Sequence, residues 1–137
     1  MDSKAIVRRF YEEVVNTGNT AAADELLSAD LLDHGVPAGF PHGRVGFLQF
    51  ATSLKAAFPD LRVTIEDLIA EGDQVAARVS VQGTHTGMLF GRLAATGKSF
   101  HLDGIDIFRL AGGKVVERWN VRDLLSLLQQ LGVDVGI

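Results

Sequence analysis

The hydrophobic period of this chain changes near residue 60, and that change limits the folds open to it. Up to Phe58 the apolar side chains recur at the three-and-four spacing of helices; after Pro59-Asp60 they alternate in twos. Ser3 is placed to cap a first helix carrying Ile6, Val7, Phe10, Tyr11, Val14 and Val15, which Asn16-Thr17-Gly18-Asn19 ends. Thr20 opens a shorter helix through Leu27, ending near Ser28-Ala29-Asp30, and residues 31–34 read as a short extended piece. GVPAGFPHG (35–43) is loop, with three glycines and two prolines. A third helix is expected from about Arg44 to Phe58, with Val45, Leu48, Phe50 or Phe47, Leu54 and Ala57 inward. The second half predicts strands over 61–72, 74–87, 98–111 and 114–123, a loop over 88–97, and a last helix, LLSLLQQLG, ending at Gly132. Helices followed by consecutive hairpin strands imply an α+β fold rather than an alternating α/β one. The expectation is one domain over residues 1–137: a cone in which a strongly curved, mostly antiparallel sheet wraps around the N-terminal helices and leaves a deep pocket.

Composition narrows the chemistry. There is no cysteine, which removes disulfides, thiolate catalysis and cysteine-held metals. The net charge is −4 and Lys and Arg are scattered, so nucleic acid is not an expected partner. His34, His42, His85 and His101 are dispersed, so no metal site is expected. No apolar run is long enough to span a bilayer, and the opening MDSKAIVRRFYEEV carries charges every few residues without an apolar core. A cytoplasmic protein without a membrane partner is the expectation.

Within the penultimate strand, GIDIFRL (104–110) sets Asp106 between two isoleucines. A three-residue turn at Ala111-Gly112-Gly113 pairs Leu110 with Lys114 and Asp106 with Arg118, with Asn120 diagonal on the same face. A two-residue Gly112-Gly113 turn sets Asp106 opposite Trp119 instead. The three-residue turn is the preferred reading. It puts Gly104, Asp106, Phe108, Leu110, Val116, Arg118 and Asn120 on one face, and His101, Asp103, Ile105, Ile107, Val115, Glu117, Trp119 and Val121 on the other. Both faces are mixed. That suits a sheet lining a cavity with a few polar groups, and it equally suits a solvated face with an Asp–Arg cross-strand pair.

The chain resembles the SnoaL-like polyketide cyclases of the nuclear-transport-factor-like (cystatin-like) superfamily. The resemblance runs through IVRRFYEEVVNTGNTAAADELLSADLLDH, GRVGFLQFATSLKAAFPDLRVTIEDLIAEGDQVAARVSVQGTHTG and FRLAGGKVVERWNVRDLLSLLQQLG. It implies a bent sheet around a deep pocket and chemistry without cofactor or metal: ring closure of an aromatic polyketide by intramolecular aldol condensation, with an acidic residue as general acid and base. The family's catalytic aspartate lies six residues after the lysine that follows the turn glycine. Counted from Lys114, that position holds Asn120. The histidine partner in the preceding strand falls, by the same count, on Asp106. An amide holds a carbonyl or hydroxyl but does not exchange protons near neutral pH, so the resemblance moves the titratable role to Asp106. Relatives with altered acid/base residues are associated with hydroxylation, which makes a cofactor-independent hydroxylase the companion expectation.

The expected catalytic pair is therefore Asp106 and Asn120. His34, beside the Gly/Pro loop, is placed as a proton carrier, and Trp119 and Phe108 as walls against a flat aromatic ligand. Arg118 would neutralise an enolate. Asp123 opens the last helix, where a carboxylate also suits the helix start. The expected partner is a small hydrophobic or aromatic molecule, and the expected assembly a homodimer or higher homo-oligomer. Two other classes fit the same sequence: a non-catalytic ligand-binding or dimerisation module, and an epoxide or lactone hydrolase.

Overall fold

The structure, a computed structural model, describes residues 2–136, so Met1 and Ile137 of the expected 1–137 domain lie outside the described residues. Four helices and five strands follow the α+β expectation: α1 Ser3–Arg9, α2 Thr20–Leu26, β1 Leu27–Asp33, α3 Arg44–Ala57, β2 Arg62–Glu71, β3 Gln74–Thr84, β4 Ser99–Ala111, β5 Lys114–Arg122 and α4 Leu124–Gln130. The sheet runs β1-β5-β4-β3-β2. β2 to β5 are antiparallel neighbours, and β1 pairs with β5 in parallel. The fifth strand corrects the sequence reading. Leu27–Asp33 leaves α2 directly as a strand, where the sequence suggested a helix end and a four-residue extension. A parallel partner distant in sequence leaves no hairpin signal to read.

α1 is capped by Asp2, whose side chain accepts the Ala5 N–H, not by Ser3. The helix does not continue regularly. Phe10–Val15 forms a π-helical turn in which the Asn16 N–H donates to the Tyr11 carbonyl. Widening the turn by one residue lets the consecutive Phe10 and Tyr11 both be buried, with Val14 beside them. α3 buries Phe47 and Ala57, while Val45, expected inward, is exposed.

β4 alternates strictly: Phe100, Leu102, Gly104, Asp106, Phe108 and Leu110 point inward, and the residues between them point out. The hairpin differs from both expected registers. Gly112 and Gly113 have φ of 60° and 78°, the two left-handed positions that a two-residue turn requires, and Ala111 pairs with Lys114. The register then slips between Leu110–Val115 and Arg109–Glu117, so Val116 is a bulge. The extra residue brings Asp106 opposite Asn120, rather than Arg118 or Trp119. The two-residue turn, which pairs Leu110 with Val115, sends Val115 rather than Val116 into the core.

The helices cover the inner face of the sheet. Phe10, Tyr11 and Phe108 meet edge to face, with ring centroids 5.2–5.7 Å apart, as the core of that layer. Among the described residues no helix is long and apolar enough to cross a membrane.

Candidate functional site: an apolar cavity closed by an arginine–carboxylate cluster

A cavity of about 580 Å³ lies between the inner face of the sheet and the helices. Its walls are mainly apolar: Phe47, Phe50 and Leu54 from α3, Val63, Val81, Phe100 and Leu102 from the sheet, Leu89 and Phe90 from the loop before β4, and Leu124, Leu127 and Leu128 from α4. Phe90 stacks on Phe50 with centroids 6.0 Å apart, and Phe40 packs edge-on against both rings. The polar side chains at the wall are Tyr11, Lys55, Arg118, Asn120 and Arg122. Among the described residues no Asp, Glu or His lines the cavity.

Asp106 lies one layer behind this wall and is 0% exposed. The Tyr11 hydroxyl donates to its Oδ2. Arg122 grips it with both terminal nitrogens, Nη1 to Oδ1 at 2.5 Å and Nη2 to Oδ2 at 3.1 Å. Arg118 Nη1 stands 3.8 Å from Oδ2. Arg118 in turn donates from Nε to Asp33 Oδ2 at 2.9 Å, and Asp33 Oδ1 accepts the Gly35 N–H. Its guanidinium lies over the Phe47 and Phe10 rings, 5.2 and 5.7 Å from their centroids. Each arginine thus touches the cavity on one side and a buried carboxylate on the other.

Three local features build this cluster. The bulge at Val116 puts Arg118, Asn120 and Arg122 on the inner face beside Phe108, Asp106 and Gly104 respectively. Gly104 clears the path of Arg122, because a Cβ there would lie 2.4 Å from its Nη1. The parallel β1–β5 pairing sets Asp33 beside Arg118. Burial pushes the Tyr11 hydroxyl well above the ordinary tyrosine range, and the adjacent Asp106 charge adds to it. Burial alone would lower the Arg122 guanidinium; hydrogen bonds to Asp106 and its charge outweigh that and raise it.

The sequence-predicted residues divide by face. Asp106, Asn120, Arg118 and Phe108 share the inner face. Asn120 lines the cavity and packs on Gly35, where a Cβ would fall 2.0 Å from its Oδ1. Phe108 is buried in the core layer and does not reach the cavity. Trp119, expected as a wall, points from the opposite face, because β5 alternates about Arg118. There it stacks on His34 at 5.2 Å. His34 is likewise turned from the cavity, with Nε2 2.8 Å from Glu117 Oε2. Glu117, which also receives Arg109, is held below the ordinary carboxylate range by the His34 hydrogen bond and then by that of Arg109. Asp123 caps α4, accepting the Ser126 N–H at 3.0 Å, and stays exposed. Sequence reasoning passed over Tyr11, Arg122 and Asp33. Arg122 was available from the two-residue period through Arg118 and Asn120; Asp33 depends on a strand pairing no local pattern encodes.

A family model described as SnoaL-like polyketide cyclase matches residues 5–131. Aklanonic acid methyl ester cyclase DnrD of Streptomyces peucetius is 32% identical over 131 residues, covering 93% of this chain and 88% of that one. Among solved structures, IdmH of Streptomyces antibioticus, a provisionally assigned polyketide cyclase, superposes with a TM-score of 0.84 at 31% identity, covering 97% of this chain and 100% of that one. AclR of Streptomyces galilaeus, a provisionally assigned hydroxylase, gives 0.78 at 27% identity, covering 94% of each. With the curled α+β sheet, the covered inner face and a family match over nearly its whole length, this chain belongs to the SnoaL-like polyketide cyclase family.

Proposed function

We propose that this protein is an enzyme that binds a flat, largely apolar aromatic polyketide and generates an enolate at the arginine end of the cavity. The observation that carries the reading is the shape of the polarity: an apolar, aromatic-lined chamber of about 580 Å³ ending in Arg118, Arg122 and the Asn120 amide. Donors fixed in a low-dielectric wall stabilise a developing oxyanion far better than water does. The enolate carbon then attacks a second carbonyl of the same molecule, and the resulting alkoxide is protonated. The similarity to DnrD supports ring closure as the outcome. Asn120, which cannot carry a proton, supports a second reading in which the carbanion adds dioxygen to give a hydroperoxide, and a two-electron reductant from the medium, such as a thiol, converts it to the hydroxyl and water. A water-activating hydrolase is less well supported, since among the described residues no carboxylate lines the cavity.

The test is incubation with aklanonic acid methyl ester, followed by mass spectrometry and an oxygen electrode. Ring closure gives an isomer of unchanged mass with no oxygen uptake; oxygenation consumes oxygen and gives a product heavier by two oxygen atoms, or by one when a thiol reductant is supplied. A ligand that neither binds nor is consumed removes this substrate class and favours a module that binds something else.

The same reading includes a homodimer built on the outer sheet face. Ile69, Ile105, Ile107 and Val121 are exposed there, Val121 by 72%. Sedimentation velocity of Val121→Glu is expected to show a shift to monomer, and a wild-type monomer would remove the dimer from the account.

A further inference from the structure

The buried carboxylate and the cavity do not meet directly. Asp106 does not line the chamber. Among the described residues, the side chains that both line it and hydrogen-bond Asp106 are Tyr11 and Arg122; Arg118 stands 3.8 Å away, too far to hydrogen-bond. Arg122 is held in its charged form by that contact, so it has no lone pair to accept a proton and does not release one. Any proton moving between a bound molecule and Asp106 therefore has one short route, through the Tyr11 hydroxyl.

We propose that Tyr11 is a catalytic residue that relays a proton from the bound molecule to Asp106. The inference rests on the enolate chemistry proposed above and assigns its base. In the forward step the substrate C–H bond breaks and its electron pair stays on the substrate, delocalised onto the carbonyl oxygen. The proton goes to Tyr11 Oη, while the proton already on Oη passes to Asp106 Oδ2. Tyr11 ends as it began, Asp106 is neutral, and one negative charge has moved from the carboxylate to the enolate. No new charge is created in the apolar interior. Arg122 and Arg118 keep their place and exchange one counter-ion, behind the wall, for another within the cavity. The reverse hops deliver the proton to the alkoxide after ring closure. A tyrosine whose hydroxyl is pushed up by burial suits this role, because it passes a proton on without accumulating as phenolate. The π-helical turn that begins at Phe10 presents both Phe10 and Tyr11 to the cavity wall.

Tyr11 is the chain's single tyrosine, which makes the relay directly testable. The probe is 2-tetralone, a bicyclic ketone with an acidic C1–H, whose exchange with deuterium oxide is followed by proton NMR. Wild type is expected to accelerate exchange over buffer. Tyr11→Phe and Asp106→Asn are each expected to lower kcat for exchange about 100-fold, the scale of general acid–base catalysis, with KM held within about threefold since the arginines remain. Biosynthetic 3-fluorotyrosine enters only at position 11, and one ring fluorine beside the hydroxyl makes it more acidic with little change in ring shape. It is expected to shift kcat and its pH profile while the melting temperature stays put, so the test survives a Tyr11→Phe that folds poorly. Tyr11→Phe or fluorotyrosine protein with unchanged kcat overturns the relay. So does wild type that binds 2-tetralone without exchanging it. If wild type does not bind 2-tetralone at all, the proposed function falls and the relay with it.

Discussion

Removing Arg122 gives the sharpest test of the cluster. Arg122→Leu leaves the Asp106 carboxylate, 0% exposed, without its bidentate partner. Breaking a buried ion pair by deleting one partner costs about 3–5 kcal/mol, because the other charge stays desolvated. Two features place the loss at the lower end. Tyr11 still donates to Oδ2, and Arg118 stands 3.8 Å away, close enough to supply part of the missing charge. The expected loss is therefore about 3 kcal/mol. For a chain of this length 1 kcal/mol corresponds to roughly 4 °C, so the melting temperature should fall by about 12 °C. The assay is calorimetry on wild type, Arg122→Leu, Asp106→Asn and the double variant. The double variant no longer buries an unpaired carboxylate and should regain at least half of the loss, a coupling that two independent sites would not show. A melting temperature for Arg122→Leu within about 4 °C of wild type is what an exposed ion pair gives. That result would refute the claim that this pair is buried and mutually dependent.

Gly104→Ala places a Cβ 2.4 Å from Arg122 Nη1; it should cost about 1–3 kcal/mol in wild type, the range for overpacking a filled site, and close to nothing in the Arg122→Leu background, as read by urea midpoints. Gly35→Ala sets a Cβ 2.0 Å from Asn120 Oδ1; it should turn the amide out of place and weaken 2-tetralone binding severalfold, while unchanged affinity would remove Asn120 from the binding surface. The folded-state pKa of Tyr11 is raised above the ordinary 10.0, first by burial and then by Asp106. Below pH 10 both folded and unfolded chains hold that proton; above it the unfolded chain loses the proton first, so stability falls as pH climbs past about 10. Tyrosinate absorbance at 295 nm should then rise together with unfolding, and a phenolate appearing in folded protein near pH 10 would contradict the burial of this hydroxyl.

Much of the fold was legible because periodicity is a local property. The helical spacing from Ile6, the break at Pro59-Asp60 and the alternation of GIDIFRL each follow from which side chains a segment must hide. That logic also placed Asp106, Arg118 and Asn120 on one face, even though the turn assumed was wrong. The two-residue turn and the Val116 bulge together reach the same parity as a three-residue turn for residues beyond Glu117. Val115, before the bulge, and Val116, within it, take faces opposite to those a three-residue turn gives them. A lone large aromatic in a ligand-binding fold suggests a wall at Trp119, whereas the strand's own alternation sends it outward.

The sequence by itself determined the α+β class, the change from helical to strand period near residue 60, the exclusion of cysteine thiol chemistry and an amide rather than a carboxyl at position 120. Each of these is a matter of residue type or of spacing within one segment. Tertiary structure alone decided that Tyr11 from the first helical segment, Asp33 from β1, Asp106 from β4 and Arg118 and Arg122 from β5 form one cluster. Their separations along the chain carry no signal, because burying a charge is tolerable only where opposite charges from distant segments arrive at the same place. The bulge, the missing side chain at Gly104 and the parallel edge strand are what bring them there.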